Sequence, residues 1–504
     1  MKKLLGLVAM AMLLLVRHAQ AQSYAETAMM FSRTKPAGSA RIIGMGGAQI
    51  SLGGDISSAY SNPAGLGMYN RSEFSLSPGY ATINTNGDYL SGTETLSTDN
   101  ADTRSNLNIT GLGLAFSREL NSDGFIRGTF AMSLTRTNNF NRNAQYVGLN
   151  PNTSLIDYFL EDATGGTPDQ FNSGGALYNT DTELAYGNYL IGERTILDPS
   201  NDPTTYFTDV SGMPLQKETI EQAGGQSQWN FSYGANFNDS FYLGAGLGVA
   251  TLRYTAGKNF REDFEDDPLS YYELAESLEI RGTGINLTMG TIFRPMDSFT
   301  IGFSATTPTY YNVTDTWSAD MNSSWKDFEY LPGEFINEES ASTDVVISEY
   351  NLITPWRLSA GATFFAGKLG LVTLDVESIN YGKAKYESNT YQADNDRIKS
   401  QYTSVLNFRF GGEVRLDAFR FRAGLGAMGD PYAEEQFDLN QSIGSISGGV
   451  GYRSDKFYID VAYVRSASNS AYRPYTIRAG GTPQPVLTYQ QTTDNVVGTI
   501  GFTF

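Results

Sequence analysis

The chain has 504 residues, with 35 Lys and Arg against 54 Asp and Glu, a net charge of −19, one His and no Cys. The acidic balance argues against a nucleic-acid partner, because phosphates attract basic faces. Without Cys there is no disulfide framework and no thiolate-held zinc or haem.

Residues 1–21 read as a secretory signal peptide. Lys2 and Lys3 precede an apolar run of 13 residues, Leu4 to Val16, and Ala19-Gln20-Ala21 has the small-x-small form of a cleavage site. The run is too short for a spanning helix, which needs about 20 apolar residues. Cleavage removes Lys2, Lys3, Arg17 and the only His, His18, leaving 35 − 3 = 32 basic against 54 acidic residues, or −22. A mature chain without His or Cys cannot build a Ser–His or Asp–His active site, so no enzyme activity, cofactor or metal centre is expected.

Residues 22–70 are rich in Gly, Ala and Ser and lack alternation. Gly44, Gly46 and Gly47 permit tight turns and close backbone approach, and Asn62-Pro63-Ala64 breaks any helix. This segment is expected to fold inward as a hatch or plug, with Gly44, Gly46, Gly47, Asn62, Pro63 and Ala64 as the hatch and gate residues.

Residues 71–504 alternate with period 2. In 241–250, for example, Phe241, Leu243, Leu247 and Val249 share one face while Tyr242, Gly244, Gly246 and Gly248 share the other. The spacing predicts fourteen strands, near 71–83, 107–119, 125–138, 227–238, 241–257, 279–294, 299–315, 346–365, 369–386, 403–416, 419–428, 441–453, 457–467 and 493–504. Short turns alternate with long loops, the largest at 139–226 with an amphipathic piece near 153–162. Tight turns on one side and long loops on the other mark an outer-membrane barrel, which explains a mean hydropathy of only −0.30. The expected fold is all-β: a 14-stranded antiparallel transmembrane β-barrel in the cell outer membrane, both barrel termini periplasmic. The strand ending at Phe504 has the terminal aromatic that barrel-assembly machinery recognises.

Within the barrel region, Glu262 to Asp267 form an acidic run without the spacing of a Ca²⁺ loop, so a solvated charge run is expected. Gly284 to Gly290 lacks the Lys-Ser/Thr of a phosphate loop. Tyr271, Tyr272, Tyr310, Tyr311 and Trp317 are expected in the interfacial aromatic girdle. Asp375 and Glu377 share a face, expected to line the lumen opposite Lys or Arg.

Gly38 to Asp55 and Ser58 to Leu66, with Asn62-Pro63-Ala64 at their centre, resemble the N-terminal signature of the FadL/TodX family of outer-membrane hydrocarbon and fatty-acid channels. Ala305 to Tyr310, Thr354 to Gly361, and Gly448 to Tyr452 with Phe457 to Asp460 resemble its Bacteroidota branch. The resemblance implies passive uptake of small hydrophobic molecules, captured outside, passed through an apolar interior and released laterally through the wall. The implied partners are outer-membrane lipids and hydrophobic small molecules, with other outer-membrane proteins reaching the long loops. The 139–226 loop raises a second expectation, a structural subunit of an outer-membrane secretion or barrel-assembly complex.

Overall fold

The computed structural model describes residues 23–91, 94–96, 100–122, 124–193, 204–265, 267–434, 439–478 and 484–504. The expected signal peptide, at 1–21, lies outside them.

Fourteen antiparallel strands close into a barrel. In chain order they are Glu73–Ser91, Asp102–Ser122, Phe125–Asn139, Leu215–Phe237, Phe241–Asp263, Leu269–Met296, Phe299–Thr306 continued by Tyr310–Leu331, Val346–Ile353 continued by Arg357–Phe365, Gly370–Asn380, Ser404–Leu416, Phe419–Met428, Ile443–Arg453, Phe457–Tyr472 and Val486–Thr503. The last strand pairs with both Phe457–Tyr472 and Glu73–Ser91, setting Phe502 opposite Phe74, and so abolishes the sheet edge. The two interrupted strands break at Pro308 and Pro355, which lack an N–H. Thr309 N donates to Thr354 Oγ1 at 2.9 Å and Thr354 N to Thr309 O at 3.1 Å, so this seam stays closed.

The alternation sorts the two faces. Leu243, Leu247, Ile285, Phe303, Phe421 and Val461 point outward and are exposed, while Ser133, Asn230, Thr288, Thr363 and Thr499 point inward and are buried. A continuous apolar outer band over a polar interior identifies a transmembrane barrel of the outer-membrane type. Each outward Leu or Phe transferred from water to lipid contributes about 1.5–3 kcal/mol.

The strands run further outward than alternation alone suggested. Leu215–Phe237 and Phe241–Asp263 have 23 residues each and Leu269–Met296 has 28, against about 9–11 needed to cross a bilayer. Their far halves stand above the membrane as a wall. The described residues of the expected loop 139–226 lean on this wall. It contains the strand Arg142–Leu149 and the helices Leu155–Ala163 and Asp181–Gly187. The 316–345 loop is likewise a hairpin, Tyr310–Leu331 with Glu334–Ser342.

Three expectations change here. Glu262 is not a solvated charge: it is 0% exposed and accepts hydrogen bonds from Leu155 N at 3.1 Å, Gln216 Nε2 at 2.6 Å, Tyr272 OH at 2.7 Å and Ser154 Oγ. A carboxylate at the start of helix Leu155–Ala163 meets its free N–H groups and dipole, so Glu262 pins the insertion to the wall. The girdle also divides. Tyr310 faces outward, but Tyr272, Tyr311 and Trp317 are buried inside, and Tyr271 stacks under Arg261. Finally, Glu377 does meet a cation, Arg409, at 2.7 Å, whereas Asp375 meets backbone instead.

Replacing Glu262 with Ala strands several buried donors, each costing about 1–3 kcal/mol. We expect Glu262→Ala to leave the barrel folded, judged by heat-modifiable gel mobility, while chymotrypsin cuts within 150–190, at sites such as Tyr158 and Phe159, far faster than in the parent.

Candidate functional site

The N-terminal residues 23–72 touch strands all round the inner face. Helix Tyr24–Ser32, capped by Ser23, packs beneath the external wall, with Tyr24 edge-on to Tyr350, Tyr386 and Tyr391. Ala40 N donates to Thr499 Oγ1 at 2.7 Å, Gly46 N to Ser447 Oγ at 3.0 Å, and Gln49 N and Ile50 N to Asp375 Oδ2 at 2.6 and 2.9 Å. Ser51 meets Thr363, Ser304 Oγ donates to Ser61 O, and Ser232 Oγ donates to Ala59 O. Small polar side chains on the lumen face thus satisfy backbone groups left free at the ends of the segment's short helices and in the turns between them. Arg41 adds charge contacts to Glu413 at 3.5 Å and Asp55 at 3.9 Å.

The six expected hatch residues fall in two places. Gly44 packs against Gly449 of strand Ile443–Arg453. Gly46, at φ 70, lies so close to strands Ser404–Leu416 and Phe419–Met428 that a Cβ would meet Leu425 O at 2.7 Å. Gly47, at φ 81, abuts Pro36. Asn62 caps the turn Pro63–Met68 through Ala64 N, and its Nδ2 reaches Ile50 O at 2.7 Å and Thr291 O and Phe303 O at 3.3 Å. Pro63 and Ala64 sit against Gly234 and Gly244. The glycine group and the Asn-Pro-Ala group therefore hold different sectors of the wall and do not form one cluster.

The sequence reading missed the feature that organises the interior. Strand Asp102–Ser122 pairs with its following neighbour only from Gly111 onward, so residues 102–110 have no strand partner on that side. The neighbour, Phe125–Asn139, turns inward. A bulge falls between Arg136 and Asn138, and the chain resumes as Arg142–Leu149, paired with Leu215–Phe237 alone. What holds the turn is the N-terminal segment: Lys35 N donates to Thr137 O at 3.0 Å and Asn138 Nδ2 to Arg33 O at 3.0 Å. The wall therefore opens between residues 102–110 and 136–143. Two side-chain bridges cross the opening, Asn139 Nδ2 to Asn106 Oδ1 at 2.9 Å and Arg104 Nη1 to Asn143 Oδ1 at 2.7 Å. Leu107, on its rim, is 81% exposed. Behind it lies a cavity of about 140 Å³ bordered by both edges of the gap, with Asn108, Thr110, Arg136 and Asn139 on the rims and Lys35 and Ile83 inside. The one local signal was the cluster Asn138, Asn139, Asn141 and Asn143, since Asn is depleted in strands.

No family model and no curated protein matches the chain. Solved structures do. A Pseudomonas aeruginosa FadL homologue aligns over 94% of this chain and 99% of its own, at 14% identity and a TM-score of 0.55. A deltaS2 mutant of the TodX monoaromatic hydrocarbon channel aligns over 92% and 98%, at 11% identity and a TM-score of 0.50. The fold is that of FadL/TodX-type channels. In this FadL-type barrel the N-terminal segment, the inward-turned strand and the gap are joined by hydrogen bonds, and no group of three or more His, Cys, Asp or Glu placed to hold a metal ion occurs among the described residues.

At Gly424 a Cβ would stand 2.1 Å from Gly46 N, whereas at Gly498 it would meet nothing within 4 Å. Overpacking of this kind costs about 1–3 kcal/mol. Gly424→Val should therefore displace the N-terminal segment, seen as rapid proteolysis within 33–60, and Gly498→Val should behave as the parent.

Proposed function

We propose that this protein is an outer-membrane channel for the passive uptake of small hydrophobic molecules of fatty-acid or hydrocarbon type, which leave the lumen sideways through the wall gap. The supporting observation is the gap itself. In a bilayer, unpaired strand edges are tolerated only where they line a protein cavity, and this one opens from the cavity behind Asn108 and Asn139 toward the lipid-facing side, with Leu107 at its lip. Lys35 and Arg136 in that cavity favour an acidic headgroup at the end of an apolar chain.

On this reading residues 22–70 are the hatch. The short turns and both ends of the barrel strands face the periplasm, and the long-strand wall faces outward. Asn62, tied to three carbonyls, anchors the hatch, and the stretch around Lys35 and Pro36 moves. Transport needs no cofactor or energy input, because partition into the bilayer drives release.

The chain has no Cys, so a paired substitution tests the exit cleanly. Asn106→Cys with Asn139→Cys, oxidised, should abolish uptake of oleate and toluene into proteoliposomes, and reductant should restore it. Full uptake with the cross-link formed would sink the lateral route.

A further inference from the structure

Above the lumen lies a second cavity, of about 760 Å³, between the tall strand wall, the helices Leu155–Ala163 and Asp181–Gly187, helix Tyr24–Ser32 and the outer ends of the later strands. Beside Leu155, Phe159, Phe260 and Leu274 its lining carries many charged side chains and tyrosines, which a hydrocarbon path does not require. On its strand-wall side stand Asp181, Glu218 and Glu276, with Lys258 as the ammonium among them. Lys258 Nζ lies over the Tyr472 ring, 3.3 Å from its hydroxyl. Around Lys258 the acids are three to one, while Glu26, Arg397, Arg473 and Arg478 bring the whole lining to four acidic and four basic groups.

These acids are not satisfied by the protein. Asp181 is 9% exposed and Glu218 3% exposed. Glu218 Oε1 accepts from Tyr472 OH at 2.9 Å, but Glu218 Oε2, Asp181 Oδ1 and Glu276 Oε1 have no hydrogen-bond donor among the described residues. Burying carboxylate oxygens unpaired costs several kcal/mol unless a counter-charge arrives. Of the other charged groups, Arg397 stands against Glu26 and Asp394, while Arg478, whose backbone N donates to Glu161, bears on Tyr158, and Arg473 also lines the cavity. Tyr158 and Tyr472 border the acidic side, and Tyr402, Tyr432 and Tyr475 complete the walls. Aromatic faces attract cations within about 6 Å.

We propose that this vestibule binds a small organic cation, its ammonium group seated between Asp181, Glu218 and Glu276 and against the tyrosine faces. The site is separate from the lumen cavity and from its hydrophobic cargo. Burial, then the neighbouring Glu276, raises the Asp181 carboxyl well above its usual range, with Lys258 opposing and Asp162 adding to the effect. A folded-state pKa raised in this way means that ionising Asp181 costs stability as pH rises through it. Unliganded Asp181→Asn should therefore melt higher than the parent at neutral pH, and the difference should vanish at acid pH, where both side chains are neutral.

The test uses the full mature chain in a neutral detergent, with choline as probe and acetate as the matched anion. Choline should bind saturably by calorimetry and raise the melting temperature, while acetate should do neither. Asp181→Asn and Glu276→Gln should each weaken choline at least about tenfold, equivalent to 1.4 kcal/mol, without lowering the unliganded melting temperature. Tyr158→Leu, which leaves every carboxylate in place, should weaken it as well. Absence of saturable binding at millimolar choline, binding of acetate instead, or choline affinity unchanged in both carboxylate variants would overturn the proposal. Oleate uptake measured on the same variants should be unchanged, which keeps this outcome distinct from failure of the channel reading.

Discussion

The backbone inside a bilayer has no water to turn to, and every other feature of this molecule follows from how that constraint is met. Around most of the circumference it is met by closure, strand against strand, with Val486–Thr503 returning to Glu73–Ser91. Between residues 102–110 and 136–143 it is met differently. There Thr137 O receives Lys35 N, Asn138 reaches Arg33 O, and Arg136 Nη2 donates to Gly224 O at 2.9 Å. The N-terminal segment thus takes the place of a neighbouring strand. Wall gap and lumen segment are tied at Thr137 O, a carbonyl that pairs with Lys35 N of the segment and not with strand Asp102–Ser122.

How much of this was readable in the sequence depends on what faces each residue. Alternation located the strands where one side meets lipid and the other meets small polar lumen groups, as in Phe241 to Ala250. It failed above the membrane, where the inner face of the tall wall is covered by protein. Tyr272 and Trp317 there looked like girdle residues but are buried beneath the insertion, and Glu262 looked solvated but caps a helix 107 residues earlier in the chain, at Leu155. Such partners are set by chain return over long distance, which no local pattern reports. The glycines at 44, 46 and 47 were legible as close-approach positions, and φ values of 70 and 81 at Gly46 and Gly47 bear that out. Which strands they approach was not.

Charge is deployed in two ways. Inside the barrel it is matched: Arg422, fully buried, donates to Glu413 at 2.8 Å and Asp460 at 2.6 Å, and Arg409 answers Glu377. These pairs balance charge within the barrel, although Arg422 Nη2 and Arg409 Nε keep no hydrogen-bond partner among the described residues. In the vestibule Glu218 Oε2, Asp181 Oδ1 and Glu276 Oε1 are buried with no hydrogen-bond donor among the described residues. Retained electrostatic cost of this kind is characteristic of functional sites.

The sizes of the two cavities bear on what must move. The outer one, at about 760 Å³, is within the range of small-molecule sites, whereas the inner one, at about 140 Å³, is below it. Any cargo larger than a few heavy atoms therefore requires displacement of the N-terminal segment, and the strength of its ties decides where. Around Gln49, Ile50 and Asn62 the segment is bound by several buried hydrogen bonds at once, each worth about 0.5–1.5 kcal/mol. Between Thr34 and Gly38 the backbone tie to the wall is Lys35 N to Thr137 O. That stretch lines the inner cavity and also carries the contact that turns Phe125–Asn139 inward. On the proposed lateral route, the stretch with the weakest tie to the wall is thus the one whose displacement enlarges the cavity and loosens the gap together.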